Sequence, residues 1–359
     1  MEPFLRVFFG NPHSADHSAG WRASQAVEEA AAQIADFLGA LPDEIVFTSG
    51  ATEANNQAIL GSAQAARGKQ KKRILISAIE HKCIIAAANA ARDLFGFSVE
   101  TIPVNRAGQV DLDWLRSSLD NKVLLVSVMA VNNEIGTIQN LAKISELTHN
   151  AGALFHSDCA QAPMAVDMPP MIKHVDLASL SAHKSYGPKG VGALFIEHSV
   201  QSRIQPIIHG GGQQRNMRSG TVPVPLVVGM AKAANLLANS VGTHERAEIA
   251  RLRAKLIAGI SALGTPTTLN TPLEIAHPGN ANIGFAGLDA QDILQRVQPR
   301  LAASTGSACT SGNPEPSHVL RAIGLTGTEA ESCIRFSVGR FTTDQEIEQA
   351  IEILAEAIS

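Results

Sequence analysis

The sequence predicts an α/β fold with a mainly parallel central sheet, followed by a smaller α+β domain. Short β-rich runs alternate with helical stretches through the first 240 residues, and several runs are continuously apolar, which is typical of strands that helices cover on both faces. Near residue 240 this alternation ends. We therefore expect a large domain over residues 10–240 and a small domain formed by residues 241–359 together with residues 1–9.

The large domain is predicted to begin with a helix over Ala23–Leu38, where apolar residues recur at helical spacing. Its predicted strands are the runs Ile45–Thr48, Ile74–Ser77, Val99–Ile102, Val123–Met129, Ala153–His156, Leu177–Ser181 and Val191–Ile196. Segments between them, such as Leu141–Asn150 ahead of Gly152, are predicted to be helices. Because ligands of such sheets bind at the carboxyl ends of the strands, the polar residues that follow these runs form the candidate site.

The small domain has a different pattern of elements. Helices are predicted over Thr243–Leu263 and Asp344–Ile358, and strands over Ala281–Phe285 and Ser332–Ser337. Neither an internal repeat nor a long linker separates this part from the rest of the sequence. Helices at both ends with strands between them favour an α+β arrangement.

Composition excludes several classes of function. The 359 residues include 29 basic and 33 acidic side chains, a net charge of −4, which argues against direct nucleic-acid or membrane binding. No run approaches the roughly 18 consecutive apolar residues of a membrane-spanning helix, and the polar start does not resemble a secretory signal. The four cysteines are far apart, so neither a disulfide framework nor a metal site is expected, and we expect a cytoplasmic protein.

A lysine follows one of the predicted strands. Lys184 lies in a segment of small residues, between Ser181 and Gly190, with His183 beside it. It suits a Schiff base, because such a loop lets a cofactor approach closely and desolvation lowers the pKa of an amine. Taken alone, a lysine in such a turn is more often a surface residue.

A candidate phosphate site follows the first predicted strand. Ile45–Thr48 leads into Ser49, Gly50 and then Ala51 and Thr52, a strand, glycine turn and helix start that offers backbone N–H groups and a positive helix end to an anion. The spacing is not that of a nucleotide P-loop. An ordinary helix N-cap is the alternative interpretation.

Three more polar residues follow strands. Asp158 closes the run 153–157 and is followed by Gln161, and a carboxylate there can pair with the protonated pyridine nitrogen of pyridoxal 5′-phosphate (PLP). His81 follows Ile74–Ser77 and could stack on or protonate a ligand at the same edge. Singly, the aspartate could be a helix cap and the histidine a structural residue.

One cysteine differs from the others in its context. Cys309 lies among the small and polar residues 302–312, which is typical of an accessible loop and suits a thiolate nucleophile. Cys83, Cys159 and Cys333 lie in apolar or regular segments and are expected to be inert core residues.

Together these motifs resemble cysteine desulfurases of the NifS/IscS type, within the class V aminotransferase family of PLP enzymes. The similarity extends over nearly the whole chain, in an order that makes chance agreement negligible. The matching motifs are F-G-N-P-H-S (9–14), T-S-G-A-T-E (48–53), E-H-K (80–82), V-N-N-E-I-G (131–136), S-D-C-A-Q (157–161), S-A-H-K-S-Y-G-P-K-G (181–190), G-G-G and M-R-S-G-T (210–221), G-S-A-C-T-S (306–311) and R-F-S-V-G-R-F-T-T (335–343).

This resemblance implies a fold of type I, as in aspartate aminotransferase, and the conversion of L-cysteine to L-alanine. Sulfur would pass to a persulfide on Cys309 and then to an acceptor protein, such as an iron–sulfur scaffold, or to a thiolation pathway. Lys184 would be the Schiff-base lysine. The setting of Cys309 is similar to that of the long-loop group that serves iron–sulfur cluster assembly.

The resemblance also implies a PLP site and a substrate site. His81 would stack on the ring as a candidate acid or base. Asp158 would pair with the ring nitrogen and Gln161 with the ring oxygen, and the phosphate would be held by Ala51, Thr52, Ser181 and His183. Thr221 would reach the phosphate of the neighbouring subunit, which implies a homodimer, and Asn132 and Arg335 match residues near the substrate carboxylate.

Two alternatives stay open. Another class V enzyme, such as a selenocysteine lyase or an aminotransferase, would use the same cofactor. Members of the family usually have a strand and an Ala-Thr-Thr loop ahead of the motif that here starts at Phe9. A chain without that segment could be a non-catalytic homologue that binds a sulfur-acceptor partner.

Overall fold

The computed structural model describes residues 1–238, 240–306 and 317–359. The chain divides into two compact units. The larger unit consists of Met1–Ile102, Leu112–Ala130 and Asn140–Gly242, and the smaller unit consists of Pro103–Asp111, Val131–Gln139 and Thr243–Ser359.

These boundaries differ from the expected ones at two places. Residues 1–9 belong to the larger unit, because Phe4 packs against Ala23, Ala26 and Val224 there. The segments 103–111 and 131–139 belong to the smaller unit, where Oγ1 of Thr137 donates to the carbonyl of Ala107 at 2.7 Å. Neither contact could be predicted from the local sequence pattern, since each joins segments that are far apart in the chain.

The larger unit contains a seven-stranded sheet in the order β1-β7-β6-β5-β4-β2-β3. Its strands are β1 (Ile45–Thr48), β2 (Arg73–Ser77), β3 (Ser98–Ile102), β4 (Val123–Ser127), β5 (Leu154–Asp158), β6 (Leu177–Ser181) and β7 (Gly192–Ile196). Strand β7 is antiparallel to both neighbours, whereas the other pairs are parallel. The predicted mainly parallel α/β sheet is confirmed, with each predicted strand of this sheet present to within two residues.

The helices that pack on this sheet are rich in alanine, which lets them lie close to the strands. The helices of the larger unit are α1 (Glu2–Arg6), α2 (Ser18–Leu38), α3 (Ala51–Ala65), α4 (Lys82–Phe95), α5 (Leu112–Ser118), α6 (Leu141–Asn150), α7 (Met168–Ile172) and α8 (Val224–Leu237). Ala54 and Ala58 of α3 and Ala88 of α4 are fully buried in one core cluster with strand residues such as Leu125. Small side chains allow close packing of helix on sheet, so polar groups on α3 can reach strand ends.

The smaller unit contains a three-stranded antiparallel sheet in the order β10-β9-β8. Its strands are β8 (Thr267–Leu269), β9 (Asn280–Phe285) and β10 (Cys333–Ser337), and its helices are α9 (Ser240–Ser261), α10 (Ala290–Val297), α11 (His318–Ala322), α12 (Gly327–Glu331) and α13 (Asp344–Ile358). Strand β8 was not predicted, because three residues are too few to show the alternation of apolar and polar side chains that marks a strand. Among the described residues, no single helix is long and apolar enough to cross a membrane.

A histidine lies inside the central sheet. His156 of β5 is fully buried, with Nδ1 2.9 Å from Oγ of Ser127 and Nε2 3.0 Å from Oγ of Ser179. Burial lowers its pKa from 6.5 to about 3. The neutral ring is therefore the form that the folded sheet accommodates.

This burial predicts a loss of stability in acid. The folded pKa is depressed, so the stabilisation is complete above pH 6.5 and is lost as the pH falls from 6.5 towards 3, with a slope approaching about 1.4 kcal/mol per pH unit from this one proton. We expect His156→Gln to reduce the slope measured by urea unfolding at a series of pH values. Burial also lowers the pKa of His277 to about 4, so the double variant with His277→Gln should reduce the slope further. An unchanged slope in both variants would contradict this assignment.

One glycine permits the close approach of three strand ends. Gly192 in β7 pairs with Thr48 of β1 and with Ser181 of β6. A Cβ built on Gly192 would overlap the carbonyl oxygen of Leu180 and lie 2.7 Å from Cα of Gly50. A residue without a side chain is therefore required at position 192, both by the pairing of β7 with β6 and by the turn that leads into α3.

We predict that Gly192→Ala destabilises the protein by about 1–3 kcal/mol, the usual cost of overpacking. Denaturant unfolding monitored by circular dichroism measures this change. The matched control is Gly327→Ala in α12, where an added Cβ meets no neighbour within 4 Å. Equal stability of the two variants would show that the clash at Gly192 relaxes without cost.

Candidate active site

Most predicted cofactor residues lie at one edge of the seven-stranded sheet. Asp158 and Ser181 end β5 and β6, and His81 follows β2. Ala51 and Thr52 begin α3 directly after β1. Strands β1, β2, β5 and β6 run in the same direction through the sheet, so their carboxyl ends meet at this edge.

Asp158 is a buried carboxyl group at this edge. It is 4% exposed, with Oδ1 accepting from the Ala160 N–H at 2.9 Å and Oδ2 accepting from Nδ2 of Asn55 at 2.7 Å. Burial raises its pKa, while these hydrogen bonds and the positive charge of Lys184 act to lower it. The edge therefore concentrates one buried acid and two basic groups.

A second buried acid lies close by. Glu80 is fully buried, and its Oε1 accepts from the Met129 N–H at 2.6 Å, which joins the loop after β2 to the segment after β4. Burial and the negative charge of Asp158 raise the pKa of Glu80 well above 4.5. Two such groups disfavour each other's ionised form.

The lysine segment forms a tight turn after β6. Lys184 and His183 lie in the 3₁₀ turn Ala182–Ser185, and both side chains are exposed in the single chain. Oγ of Ser185 donates to the carbonyl of Ala182 at 3.2 Å, which closes the turn. Burial and the charge of Lys184 lower the pKa of His183. Gln161, half-buried, follows β5 at the start of another 3₁₀ turn.

The N-terminus of α3 has backbone donors directed outward. Gly50 is its N-cap, and no described side chain caps the first turn. Oε2 of Glu53 accepts from the Ser49 N–H at 2.9 Å, and Oε1 accepts from Nε of Arg218 at 2.8 Å. Hydrogen bonds to Arg218 and Ser49 lower the pKa of Glu53 against the opposing effect of burial. This ion pair fixes the segment that leads to Thr221, which is exposed in the single chain.

The two predicted substrate residues both lie in the smaller unit. Oδ1 of Asn132 accepts from the N–H groups of Glu134 and Ile135 at 2.8 and 2.9 Å. Arg335 of β10 donates through one terminal nitrogen to the carbonyl of Asn133 at 3.1 Å. Its Nε is buried and has no acceptor among the described residues. Cys309, the predicted nucleophile, lies outside the described residues.

Sequence and structure comparisons agree on one family. The sequence model of class V aminotransferases matches residues 1–350. A protein named cysteine desulfurase IscS from Rickettsia bellii is 44% identical over 359 residues, which cover 100% of this chain and 87% of that protein. The chain belongs to the class V aminotransferase family.

Solved structures of the family superpose on this chain. A NifS-like protein has a TM-score of 0.91 and 34% identity, covering 99% of this chain and 93% of its own. A structure described as SspA in complex with cysteine has a TM-score of 0.82 and 32% identity, covering 95% and 94%. These similarities confirm the expected type I fold of the family, whose members generally depend on PLP.

The structure adds two residues to this edge that the sequence did not reveal. Asn55 lies in the first turns of α3, and Cys83 lies at the start of α4, where its Sγ is 3.2 Å from Nδ2 of Asn55 and 2.9 Å from Nδ1 of His81. Cys83 packs against the core cluster of the larger unit and burial raises its pKa to about 11, as expected of an inert thiol, but its polar contacts were not predicted. The apolar residues that follow it in sequence gave no sign of this.

The sequence also did not reveal the role of Glu134, which lies in the smaller unit beside Gly306 and Ser317. Oε2 of Glu134 accepts from Oγ of Ser317 at 2.5 Å, and a Cβ built on Gly306 would lie 3.1 Å from the same oxygen. Gly306 has φ of +89°, in the region that favours glycine. Glu134 is buried, so its carboxyl group has little room to move away from a side chain added at position 306.

We predict that Gly306→Ala destabilises the protein by about 1–3 kcal/mol through backbone strain and crowding of Glu134. The control is Gly287→Ala, which has φ of +78° and no neighbour within 4 Å, and which therefore reports backbone strain alone. Thermal unfolding of both variants measures the difference. If Gly306→Ala is no more costly than Gly287→Ala, Glu134 does not crowd that position.

Proposed function

We propose that this chain is a PLP-dependent cysteine desulfurase, which converts L-cysteine to L-alanine and transfers the sulfur to Cys309. The observation that carries the proposal is the sheet edge at which the buried Asp158 ends β5, Lys184 follows β6 and His81 follows β2. PLP needs an amine that can link to its aldehyde and an acid that can pair with its protonated ring nitrogen, and this edge offers both.

The donor set at this edge fits the coenzyme. The first N–H groups of α3 lack intrahelical acceptors, and a helix N-terminus favours a phosphate. The proposed contacts are Asp158 with the ring nitrogen, Gln161 with the ring oxygen, His81 with the ring face, and Ala51, Thr52, Ser181 and His183 with the phosphate. When bound, PLP supplies an electron sink for negative charge that develops on the substrate Cα.

The remaining chemistry is assigned to this chain's own side chains. Lys184 Nζ is the proposed base that removes the proton from Cα of the substrate, and His81 is a candidate acid for a later proton transfer. Arg335 and Asn132 are assigned to the substrate carboxylate. The buried Nε of Arg335 supports this assignment, because an unpaired donor of a guanidinium fork fits a carboxylate oxygen.

The sulfur transfer balances without an external oxidant. The Cys309 thiolate attacks the substrate sulfur, so that an S–S bond forms as the substrate Cβ–S bond breaks. The carbon skeleton keeps the electron pair and takes up a proton, leaving as L-alanine. One cysteine and one enzyme thiol therefore give one alanine and one persulfide, which an acceptor protein such as an iron–sulfur scaffold would then receive.

A homodimer in a reducing compartment is the proposed setting. Thr221, proposed to reach the partner's phosphate, is exposed in the single chain, as are Leu5, Phe9 and Trp21 of the N-terminal part. Exposed large apolar groups of this kind support an interface. The described cysteines are free thiols, which supports a cytoplasmic location.

We expect Cys309→Ser to abolish persulfide formation and to lower alanine production from L-cysteine by about 10²-fold or more, because the nucleophile is lost. Lys184→Ala should lose the visible absorption of the lysine-linked coenzyme as well as activity. Labelled cysteine followed by mass spectrometry of the enzyme measures the first effect, and absorption spectroscopy the second.

Cys333→Ala is the control for loss of a buried thiol. Alanine and persulfide formation at the normal rate in Cys309→Ser would refute the assigned nucleophile. Wild-type protein that takes up no PLP would refute the enzyme and support a non-catalytic binding role. Alanine formation from selenocysteine but not cysteine, or keto-acid products, would support the alternative class V enzymes.

A further inference from the structure

Asn55 connects the buried acid to a thiol. Its Nδ2 donates to Oδ2 of Asp158 at 2.7 Å and lies 3.2 Å from Sγ of Cys83. An amide nitrogen carries two hydrogens, so it can serve both acceptors at once. The opposite orientation would place the amide oxygen against the carboxyl oxygen, so the hydrogen-bond pattern assigns the nitrogen to this side.

Cys83 continues the connection to His81. Its backbone N–H donates to Nδ1 of His81 at 3.2 Å, and its Sγ lies 2.9 Å from the same nitrogen. A backbone N–H can only donate, so Nδ1 must be the unprotonated nitrogen of a neutral ring and the proton lies on Nε2. The thiol hydrogen of Cys83 then also points to Nδ1 of His81, while Sγ accepts a hydrogen bond from Nδ2 of Asn55.

The Cys83 thiol is protonated, as its donation of a hydrogen bond to Nδ1 of His81 requires. Burial raises the pKa of Cys83 to about 11, against hydrogen bonds from Asn55 and Thr52. The thiol therefore keeps its hydrogen near neutral pH. Glu80 and Asp158 are the acids whose negative charges act on it, and both also favour the neutral thiol.

We propose that Asn55 and Cys83 are positioning residues that hold His81 as the Nε2–H tautomer and link its ring to Asp158. The proposal rests on the proposed function, in which His81 stacks on the coenzyme and Asp158 pairs with its ring nitrogen. The link runs from Asp158 Oδ2 through the Asn55 amide and the Cys83 thiol to His81 Nδ1. His81 can then donate a proton from Nε2, whereas Nδ1 is occupied within the protein.

The first experiment is ¹⁵N NMR of labelled histidine in the coenzyme-free protein, with the His81 signals assigned through His81→Gln. The wild type should show unprotonated Nδ1 and protonated Nε2. Cys83→Ala keeps the backbone donor but loses the thiol contact, so the Nδ1 signal of His81 should shift while the ring stays in the Nε2–H form, and Cys83→Ser, which keeps a side-chain donor, should restore the signal. Because no coenzyme is present, this result does not depend on the proposed reaction.

The second experiment tests the link through two variants. Asn55→Ala should move the His81 signals in the same direction as Cys83→Ala, and the double variant should move them no further, since both changes break one chain of contacts. In the PLP-loaded protein, Cys83→Ala should shift the visible band and lower kcat about two- to tenfold with little change in KM.

Cys333→Ala is the matched control, because that buried thiol also contacts an asparagine amide, Nδ2 of Asn270 at 3.1 Å. It should leave the His81 signals, the visible band and kcat unchanged. Unchanged His81 signals in Cys83→Ala, additive effects of the two variants, or failure of Cys83→Ser to restore the signals would overturn the proposal. Failure of the wild type to bind PLP would instead refute the proposed function while leaving the NMR result valid.

Discussion

The burial of the Asp158 carboxyl group constrains the rest of the larger unit. A carboxylate removed from water costs several kcal/mol unless hydrogen bonds and opposite charge compensate. Here the Ala160 N–H and the Asn55 amide supply the hydrogen bonds, while Lys184 supplies positive charge. The three loops after β2, β5 and β6 must therefore deliver their groups to one place, and the parallel strand directions make this possible.

Helix α3 meets that constraint through its small residues. Ala54 and Ala58 are fully buried against the sheet, and Asn55 lies between them on the helix. A larger side chain at either alanine would hold the helix away from β5 and lengthen the hydrogen bond between Asn55 and Asp158. The same helix presents its N-terminus to the proposed phosphate site, so its approach to the sheet serves both the acid and the anion.

The segment 131–139 has a comparable role in the smaller unit. The carbonyl of Glu134 accepts from the amides of Asn280 and Asn282, both at 3.3 Å, and the carbonyl of Asn133 accepts from Arg335. The side chain of Glu134 contacts Ser317. One short turn thus joins β9, β10 and the start of α11. A motif that resembles a substrate-binding element is also the centre around which this unit is assembled.

Sequence reasoning predicted the elements better than the contacts between them. Strands such as β4 and β6 were recognisable because helices cover both faces and leave continuous apolar runs. Lys184 and Asp158 were recognisable because they directly follow such runs. Asn55, Cys83 and Glu134 were not recognisable, since each has a hydrogen-bond partner more than 25 residues away in the chain. Cys83 also contacts His81, which is close in sequence, but only because the first turn of α4 places the two side chains together.

An amide at position 55 has a physical reason beyond its length. An acid there would add a third carboxyl group beside Asp158 and Glu80, whose charges already oppose each other's ionisation. A serine or threonine would offer one hydrogen, which could serve Asp158 or Cys83 but not both. Asparagine supplies two hydrogens from one nitrogen without charge. Asparagine is therefore suited to position 55, because its two amide hydrogens can bond to the acid on β5 and to the thiol on α4 at the same time.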